Sequence, residues 1–506
     1  MPKRRAAFTH PTLALDHASA VPLSRQLYDR LRHLILSGQL KAGARLPSTR
    51  DLASELGVAR GTVFMAYTQL LAENYIESNV GSGTTVASFL PQEVPTTPAQ
   101  ASSSRTPDPP ERHPLAALSQ RGAALAQISF APGTFSRESR KVRAFRVATP
   151  DLEAFPHKLW AQLAARCARA QMSDMLMSQH QAGYPPLREA IAAHLGVARG
   201  VRCSAEQVII TSGAQGAIDL AARILLDPGD AAWVEDPGYP GAKGALLGAG
   251  AQLIPVPVDE EGLDVAAGWA RCQQARLAYV TPAHQFPLGV SMSLSRRLAL
   301  LEWARQESAW ILEDDYDSEY RYVGRPLAAL QGLDEAQRVI YIGTFSKVLF
   351  PGLRLGYLVA PPALVDALLA ARRFTDIHPP ALEQAAVADF INEGHFTRHI
   401  RRMRALYAAR RDALLNAAQR DLAGLLEVQA PETGMHVIGW LPSGIDARSA
   451  AHQAAQHQIE TIPLSTLSLG GLRRSGLLLG YAAVTEEEIN DGTRRLASAL
   501  RSVPTA

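Results

Sequence analysis

Thr344-Phe345-Ser346-Lys347, followed by Pro351-Gly352-Leu353-Arg354-Leu355-Gly356, decides how the rest of this chain is read. The run before it, from Arg338 to Gly343, is apolar and β-branched and fits a strand buried on both faces. Such a strand brings one amine, two hydroxyls and, seven residues on, one guanidinium to the same sheet edge. An amine that forms a Schiff base needs a dry pocket with an anion held beside it. A lone loop lysine is more often simply solvated. The rest of the sequence has to decide between the two.

Three further stretches bear on the choice. Thr211-Ser212-Gly213-Ala214-Gln215-Gly216 joins a strand to a helix, and a glycine-bearing turn there exposes backbone N–H groups to a phosphate. Asp236-Pro237-Gly238-Tyr239 could lay an aromatic ring over a flat ligand, although an ordinary turn tyrosine fits as well. Glu313-Asp314-Asp315-Tyr316-Asp317 puts four carboxylates and a tyrosine at the end of an apolar strand. That is costly unless a cation, a metal or a basic heterocycle waits there. Metal binding is the competing reading, with His284 at hand but no ligand spacing around it.

A chain of 506 residues exceeds one hydrophobic core and should divide into domains. Residues 1–90 carry ten Lys/Arg against six Asp/Glu, which leaves −1 for the remainder of the overall +3. A basic head on a neutral body suggests a polyanionic partner. Three scattered cysteines argue against a disulfide framework or a zinc site and fit a reducing compartment. No run approaches membrane-spanning length, so a cytoplasmic location without membrane contact is expected.

In residues 22–37, Leu23, Leu27, Leu31, Leu34 and Ile35 recur at helical spacing, and Gly38 ends the helix. Ser48 can cap a second helix, with Asp51 in the capping-box position. After the Gly57-Val58 turn, Ala59–Glu73 reads as a third helix with Val63, Tyr67, Leu70 and Leu71 facing inward. Helix, tight turn, helix is the DNA-binding arrangement in which the later helix enters the major groove. Two short β segments around Gly81-Ser82-Gly83 read as a hairpin wing. A small protein-docking module is the plainer alternative. From 88 to 127 prolines stand among Ser, Thr, Ala and Gln, the composition of a semi-extended linker. Beyond it, seven strand candidates, at 208–211, 232–235, 253–256, 277–281, 310–313, 339–343 and 355–360, alternate with helical stretches such as 215–226 and 295–307. This pattern implies a mainly parallel, helix-covered sheet.

Residues 20–87 resemble the GntR family of winged-helix regulators through Arg45-Leu-Pro-Ser-Thr-Arg50, Leu56-Gly-Val-Ala-Arg60-Gly-Thr62-Val63 and the glycine-bearing wing. The resemblance implies contacts to double-stranded DNA from Arg45, Ser48, Arg50, Arg60 and Thr62, with Gly81 against the minor groove. Most of residues 150–490 resembles fold-type I aminotransferases through Ser212–Gln215, Asp236–Tyr239, Pro282–Gly289, Glu313–Tyr316, Thr344–Lys347 and Arg354. It implies pyridoxal 5′-phosphate (PLP) bound as a Schiff base on Lys347, with Asp314 on the pyridine nitrogen. Tyr316 would meet the ring hydroxyl and Tyr239 would stack on the ring. Phosphate would fall to Gly213, Ala214, Thr344, Ser346 and Arg354.

The whole chain is similar to the MocR subfamily of GntR regulators. That implies a winged helix (15–87), a linker (88–127) and an aminotransferase-like α/β domain (128–502). The implied function is a PLP-dependent transcriptional regulator, a homodimer that senses a small-molecule effector. A working aminotransferase with an accessory DNA-binding domain is the alternative, and a cofactor-free dimerisation fold is a second. Relatives carry a tyrosine where this chain has Ser178, and a carboxylate-binding arginine where it has Leu477-Leu478-Leu479. Arg473 and Arg474 lie near enough in sequence to substitute. The expected effector is PLP itself or an amine without a carboxylate.

Overall fold

The computed structural model describes residues 13–79, 83–88, 118–128, 142–170, 180–324, 327–377 and 379–503. The chain divides into two compact units, one up to Arg112 and one from His113.

The first unit is built from α1 (Leu23–Leu36), α2 (Thr49–Leu56), α3 (Arg60–Ala72) and the antiparallel pair β1 (Ile76–Asn79) and β2 (Gly83–Val86). Its core gathers Leu27, Leu31, Leu34, Ile35, Leu52, Val63, Tyr67 and Leu70. Ser48 caps α2 by accepting from the Asp51 N–H at 3.2 Å. Gly57 takes φ 65°, the left-handed conformation that lets the chain turn directly into α3. The Tyr67 hydroxyl then donates to the Pro47 carbonyl at 3.0 Å and ties α3 to the start of α2. One inward assignment needs correcting. Leu71 is 36% exposed, and the inward face of α3 is Val63, Ala66, Tyr67 and Leu70.

The second unit begins with α4 (Gln120–Gln127), so the last residues read as linker are helical. Ser119 caps this helix, and Arg121 donates to the Gly248 carbonyl at 3.5 Å. Prolines dominate the composition before it, but between Leu118 and Ile128 none is present, and nothing there breaks a helix. The helices that follow are α5 (His157–Ala170), α6 (Pro185–Arg199), α7 (Ala214–Leu225), α8 (Pro240–Ala249), α9 (Val265–Arg271), α10 (Leu294–Gln306), α11 (Pro362–Arg372), α12 (Ala381–Asn392), α13 (His395–Asp421), α14 (Ala447–Gln456) and α15 (Glu486–Arg501).

The main sheet holds β3 (Val208–Thr211), β4 (Ala231–Asp236), β5 (Gln252–Asp259), β6 (Gly262–Leu263), β7 (Leu277–Val280), β8 (Trp310–Asp315), β9 (Val339–Thr344) and β10 (Gly356–Val359). Their order is β3-β10-β9-β8-β7-β4-β5-β6. The β5–β4–β7–β8–β9 stretch is parallel, whereas β10 runs antiparallel to both neighbours. Since β3 and β9 both oppose β10, β3, β8 and β9 end on the same edge, where ligands collect in sheets of this type. Apolar clusters fill the sheet's helix contacts, including stacked Trp233 and Trp303 rings 4.0 Å apart.

A second, antiparallel sheet of order β11-β12-β14-β13 closes the chain, from β11 (Glu427–Val428), β12 (His436–Trp440), β13 (Ile462–Pro463) and β14 (Gly476–Gly480). It packs with α13 and α15 around its own core.

Candidate cofactor site and nucleic-acid interface

Strand periodicity sorts the acidic run at the end of β8. Alternate residues of a strand face opposite ways, which parts Asp314 from Glu313 and Asp315, while Asp317 lies past the end of β8 in the turn that follows. Glu313 accepts the backbone N–H groups of Leu330 and Gln331 at 2.7 and 2.8 Å. Asp315 pairs with Arg199 at 2.7 Å and accepts from the Tyr341 hydroxyl at 2.7 Å, and both partners and Asp315 are buried. Those two acids are structural. Asp314 and Asp317 instead act electrostatically on Lys347. The His284 ring meets Asp317 through Nδ1 at 2.9 Å, and the Tyr316 hydroxyl lies 2.9 Å from the same nitrogen. When Asp317 is ionised it can only accept, which puts the proton on Nδ1 and leaves the Tyr316 O–H free to donate elsewhere. Among the described residues no His, Cys, Asp and Glu side chains group as a metal-binding set.

Asp314 is 5% exposed, and its Oδ2 accepts from the Tyr279 hydroxyl at 2.6 Å. Its Oδ1 is buried without a partner. Burial pushes its pKa up to about 7, against the pull of Tyr279. A buried acceptor left open calls for a donor, and a protonated ring nitrogen is one.

Lys347 follows β9 on the turn expected for it. Its Nζ donates to the Ala148 carbonyl at 2.9 Å, and burial lowers its pKa, opposed by Asp317 and Asp314. Ala148 itself holds φ 59°, a left-handed conformation that non-glycine residues rarely adopt. A lysine with a lowered pKa has more of the neutral amine that can attack a carbonyl.

The residues expected to take the phosphate lie on α7 and the loop after β9. Gly213 caps α7 with φ 88° and no side chain fills the helix N-terminus. Arg354, at φ 52°, aims its guanidinium there. It donates to the Ser212 carbonyl at 3.2 Å, and a Cβ on Gly213 would lie 3.9 Å from it. Gly356 makes the approach possible, because a Cβ there would come within 2.7 Å of the Gly213 backbone. The Ser346 N–H donates to the Thr344 hydroxyl oxygen at 3.2 Å, which curls this turn toward the same corner. Tyr239 caps α8, its ring edge-on to Phe286 at 6.0 Å, and burial raises its pKa to about 12. Ser178 lies outside the described residues.

Sequence reasoning missed Tyr279, His284 and Asp317 as working members of this site. Tyr279 sits in an apolar strand and looks like core. His284 was weighed only as a metal ligand.

Leu478 stands in the middle of β14 and packs with Ile438, Leu464 and Leu467, against Phe286 and Leu288. Arg474 pairs with Glu427 at 2.5 Å and lies over the Trp440 ring, which itself packs against this cluster. Arg473 is exposed.

In the first unit, Arg60 and Arg50 are exposed, and Arg60 Nε donates to the Thr49 hydroxyl at 3.4 Å. Thr62 is half-buried in the first turn of α3. Ser48 spends its hydroxyl on the Asp51 carboxylate at 2.7 Å. Arg45 bridges to Thr85 of the wing, with its guanidinium 3.0 Å from where a Gly83 Cβ would be. Gly81 lies outside the described residues.

A lysine, a one-sided aspartate and an anion-ready helix end on this sheet define a fold-type I aminotransferase-like domain, joined here to a winged helix. Residues 145–496 match the family model for aminotransferase class I and II, and residues 23–86 match that for bacterial regulatory proteins of the gntR family. The chain is 42% identical over 96% of its length to the probable rhizopine catabolism regulatory protein MocR of Rhizobium meliloti, covering 96% of that protein. It is 34% identical to the pyridoxine biosynthesis transcriptional regulator PdxR of Corynebacterium glutamicum, over 84% of this chain and 85% of that one. Among solved structures, the kynurenine aminotransferase of Pyrococcus horikoshii, in complex with PMP, superposes with a TM-score of 0.67 at 30% identity, covering 72% of this chain and 92% of that one. LysN, the α-aminoadipate aminotransferase of Thermus thermophilus, gives 0.65 at 33% identity over 71% of this chain and 91% of its own.

The chain belongs to the MocR subfamily of GntR-family transcriptional regulators. It is a DNA-binding regulator whose aminotransferase-like domain takes pyridoxal 5′-phosphate. Among the described residues no helix is long and apolar enough to cross a membrane.

Proposed function

We propose that this domain works as the sensor of a homodimeric cytoplasmic regulator, and that its effector is PLP itself or an amine without a carboxylate. The observation that carries the reading is the pairing of the open Asp314 Oδ1 and the buried Lys347 with an apolar wall at Leu478. Bound PLP supplies an aldehyde for imine formation and an electron-withdrawing ring. Lys347 would hold that aldehyde carbon and Asp314 Oδ1 the ring nitrogen. Tyr316 would donate to the ring hydroxyl, its own proton freed by the His284–Asp317 pair. Tyr239 would cover the ring. The amides of Gly213 and Ala214, the Thr344 and Ser346 hydroxyls and Arg354 would share the phosphate.

A carboxylate on the effector would need a cation inside the cleft, since an unpaired buried carboxylate is expensive. Leu478 offers none, and Arg474 is committed to Glu427. The pyridoxine biosynthesis regulator among the relatives supports PLP as one ligand worth testing. By the same resemblance, DNA contact falls to Arg45, Ser48, Arg50, Arg60 and Thr62, and to Gly81.

The test titrates apo-protein with PLP, and holo-protein with amines and with α- and ω-amino acids, while following binding to promoter DNA. A change in DNA affinity with PLP or with a carboxylate-free amine supports the reading. Steady-state turnover of an amino donor and a keto acceptor, without any change in DNA affinity, would make the domain a working aminotransferase instead.

A further inference from the structure

Helix α3 buries Val63, Ala66, Tyr67 and Leu70 on one side. The opposite side carries two large apolar residues, Phe64 at 58% and Met65 at 62% exposure. Single exposed apolar side chains are ordinary, so exposure alone decides nothing. Their places on the helix do.

Phe64 lies one turn beyond Arg60, and residues four apart share a helix face. Helical side chains lean toward the N-terminus, which carries the ring toward the end that opens at Ala59 without a side-chain cap. In the DNA-binding reading proposed above, on which this inference rests, the N-terminal end of the later helix, here α3, meets base edges in the major groove. The space beside it is open, because a Cβ on Gly61 would meet nothing within 4 Å. Met65 is placed differently. It lines a groove of about 230 Å³ with Ser24 and Arg25 of α1 and Gln69 of α3. Only Phe64 is aimed with Arg60.

A phenyl ring neither donates nor accepts in-plane hydrogen bonds, so it cannot read the polar pattern of the groove floor. The apolar group on that floor is the 5-methyl of thymine. We propose that Phe64 is a specificity-determining residue that packs on a thymine 5-methyl of the operator, beside the base or phosphate held by Arg60. Position 64 would then fix a thymine that no hydrogen bond selects.

The experiment selects operator duplexes from a random pool with the full-length holo-protein at fixed salt. Each thymine of the selected site is then replaced singly by deoxyuridine, which deletes one methyl and nothing else. At one position the replacement should weaken the wild-type protein about fourfold, the factor expected for burying a single methyl group. Phe64→Ala should bind the thymine and deoxyuridine duplexes alike, and Phe64→Leu should fall between. The proposal is overturned if no thymine is selected in the stretch read by α3. It is equally overturned if Phe64→Ala keeps the wild-type preference for thymine. A Phe64→Ala protein that changes its sedimentation while keeping that preference would make the ring a protein contact instead.

Discussion

The carboxylate of Asp314 is gripped from one side only, by the Tyr279 hydroxyl at 2.6 Å from Oδ2, while Oδ1 stays buried and unpartnered. In the apo-protein this is a cost that the cofactor removes. Asp314→Asn should therefore weaken PLP by about 10- to 100-fold, the loss expected for one buried charge-assisted hydrogen bond. Equilibrium titration of the apo-protein by visible absorbance checks it. An affinity within twofold of wild type would show that the ring nitrogen is not held here.

The same carboxylate makes a pH prediction. Its pKa is raised from 3.8 to about 7, chiefly by burial. A carboxyl that holds its proton more tightly in the folded state favours folding at low pH. That contribution is complete below about pH 4 and is lost as the pH rises through about 7. The stability of wild-type apo-protein relative to Asp314→Asn should accordingly fall across this window and level off above it. Saturating PLP should flatten the difference, because the ring nitrogen then pairs with the ionised form. Thermal melts at several pH values, with and without PLP, measure both.

Lys347 is the amine that bonds the cofactor in this reading. Borohydride reduction of holo-protein should fix the cofactor to the peptide containing Lys347, and Lys347→Ala should abolish both the adduct and the visible Schiff-base band. An equal adduct in the variant would move the attachment to another lysine. Lys243 would be the first to examine, being buried, with its pKa lowered to about 8 mainly by burial.

How much of this was legible beforehand depends on which residues hold which. The β8 carboxylates announced a site and the resemblance picked out Asp314, but local spacing could not say what holds the other acids. Glu313 and Asp315 find partners some twenty or a hundred residues away, in the Leu330 and Gln331 amides and in Arg199. The lysine turn, the glycine turn at Gly213 and the helix-turn-helix were legible because each depends on local spacing. The antiparallel β11–β14 sheet was not, because β11 and β13 are two residues long and leave no period to read. The α4 helix hid behind the prolines that precede it.

Gly434 shows another relationship invisible in sequence. Its carbonyl accepts from Tyr322 and Tyr481 at 2.6 and 2.7 Å, and its N–H donates to the Tyr320 carbonyl at 2.9 Å, so the backbone cannot shift. At φ +92° a Cβ would sit 1.9 Å from the His284 ring. Gly434→Ala should cost about 2–4 kcal/mol, from backbone strain and overpacking together. It should also push His284 off Tyr316 and perturb the visible spectrum of bound PLP. Denaturant melts and a holo spectrum test the two effects separately, and an unperturbed spectrum would detach His284 from the cofactor.

On the DNA side, Arg60 stands exposed in the first turn of α3. If it reads a base, Arg60→Ala should cost about 1–3 kcal/mol and relax the preference at that base pair. If it holds a phosphate, binding should weaken on all sequences alike and the salt slope should drop by about one. Affinities measured on specific and scrambled duplexes across a salt series separate the two. Unchanged binding on both would remove α3 from the groove.

The last prediction concerns the arginines beside the apolar wall. Arg474 is paired with Glu427 over the Trp440 ring at the edge of the Leu478 cluster, and Arg473 is exposed to water, and in the reading proposed above neither meets a ligand carboxylate. A surface ion pair of this kind contributes about 0–1 kcal/mol, so removing it should not disturb the fold. Arg473→Ala and Arg474→Ala should each leave the effector response of operator binding unchanged. The measurement is the shift in DNA affinity on adding PLP or an amine, compared with a panel of α- and ω-amino acids. A saturable response to one amino acid, lost in either variant, would show that the loop after β13 supplies the missing cation and that the effector carries a carboxylate after all.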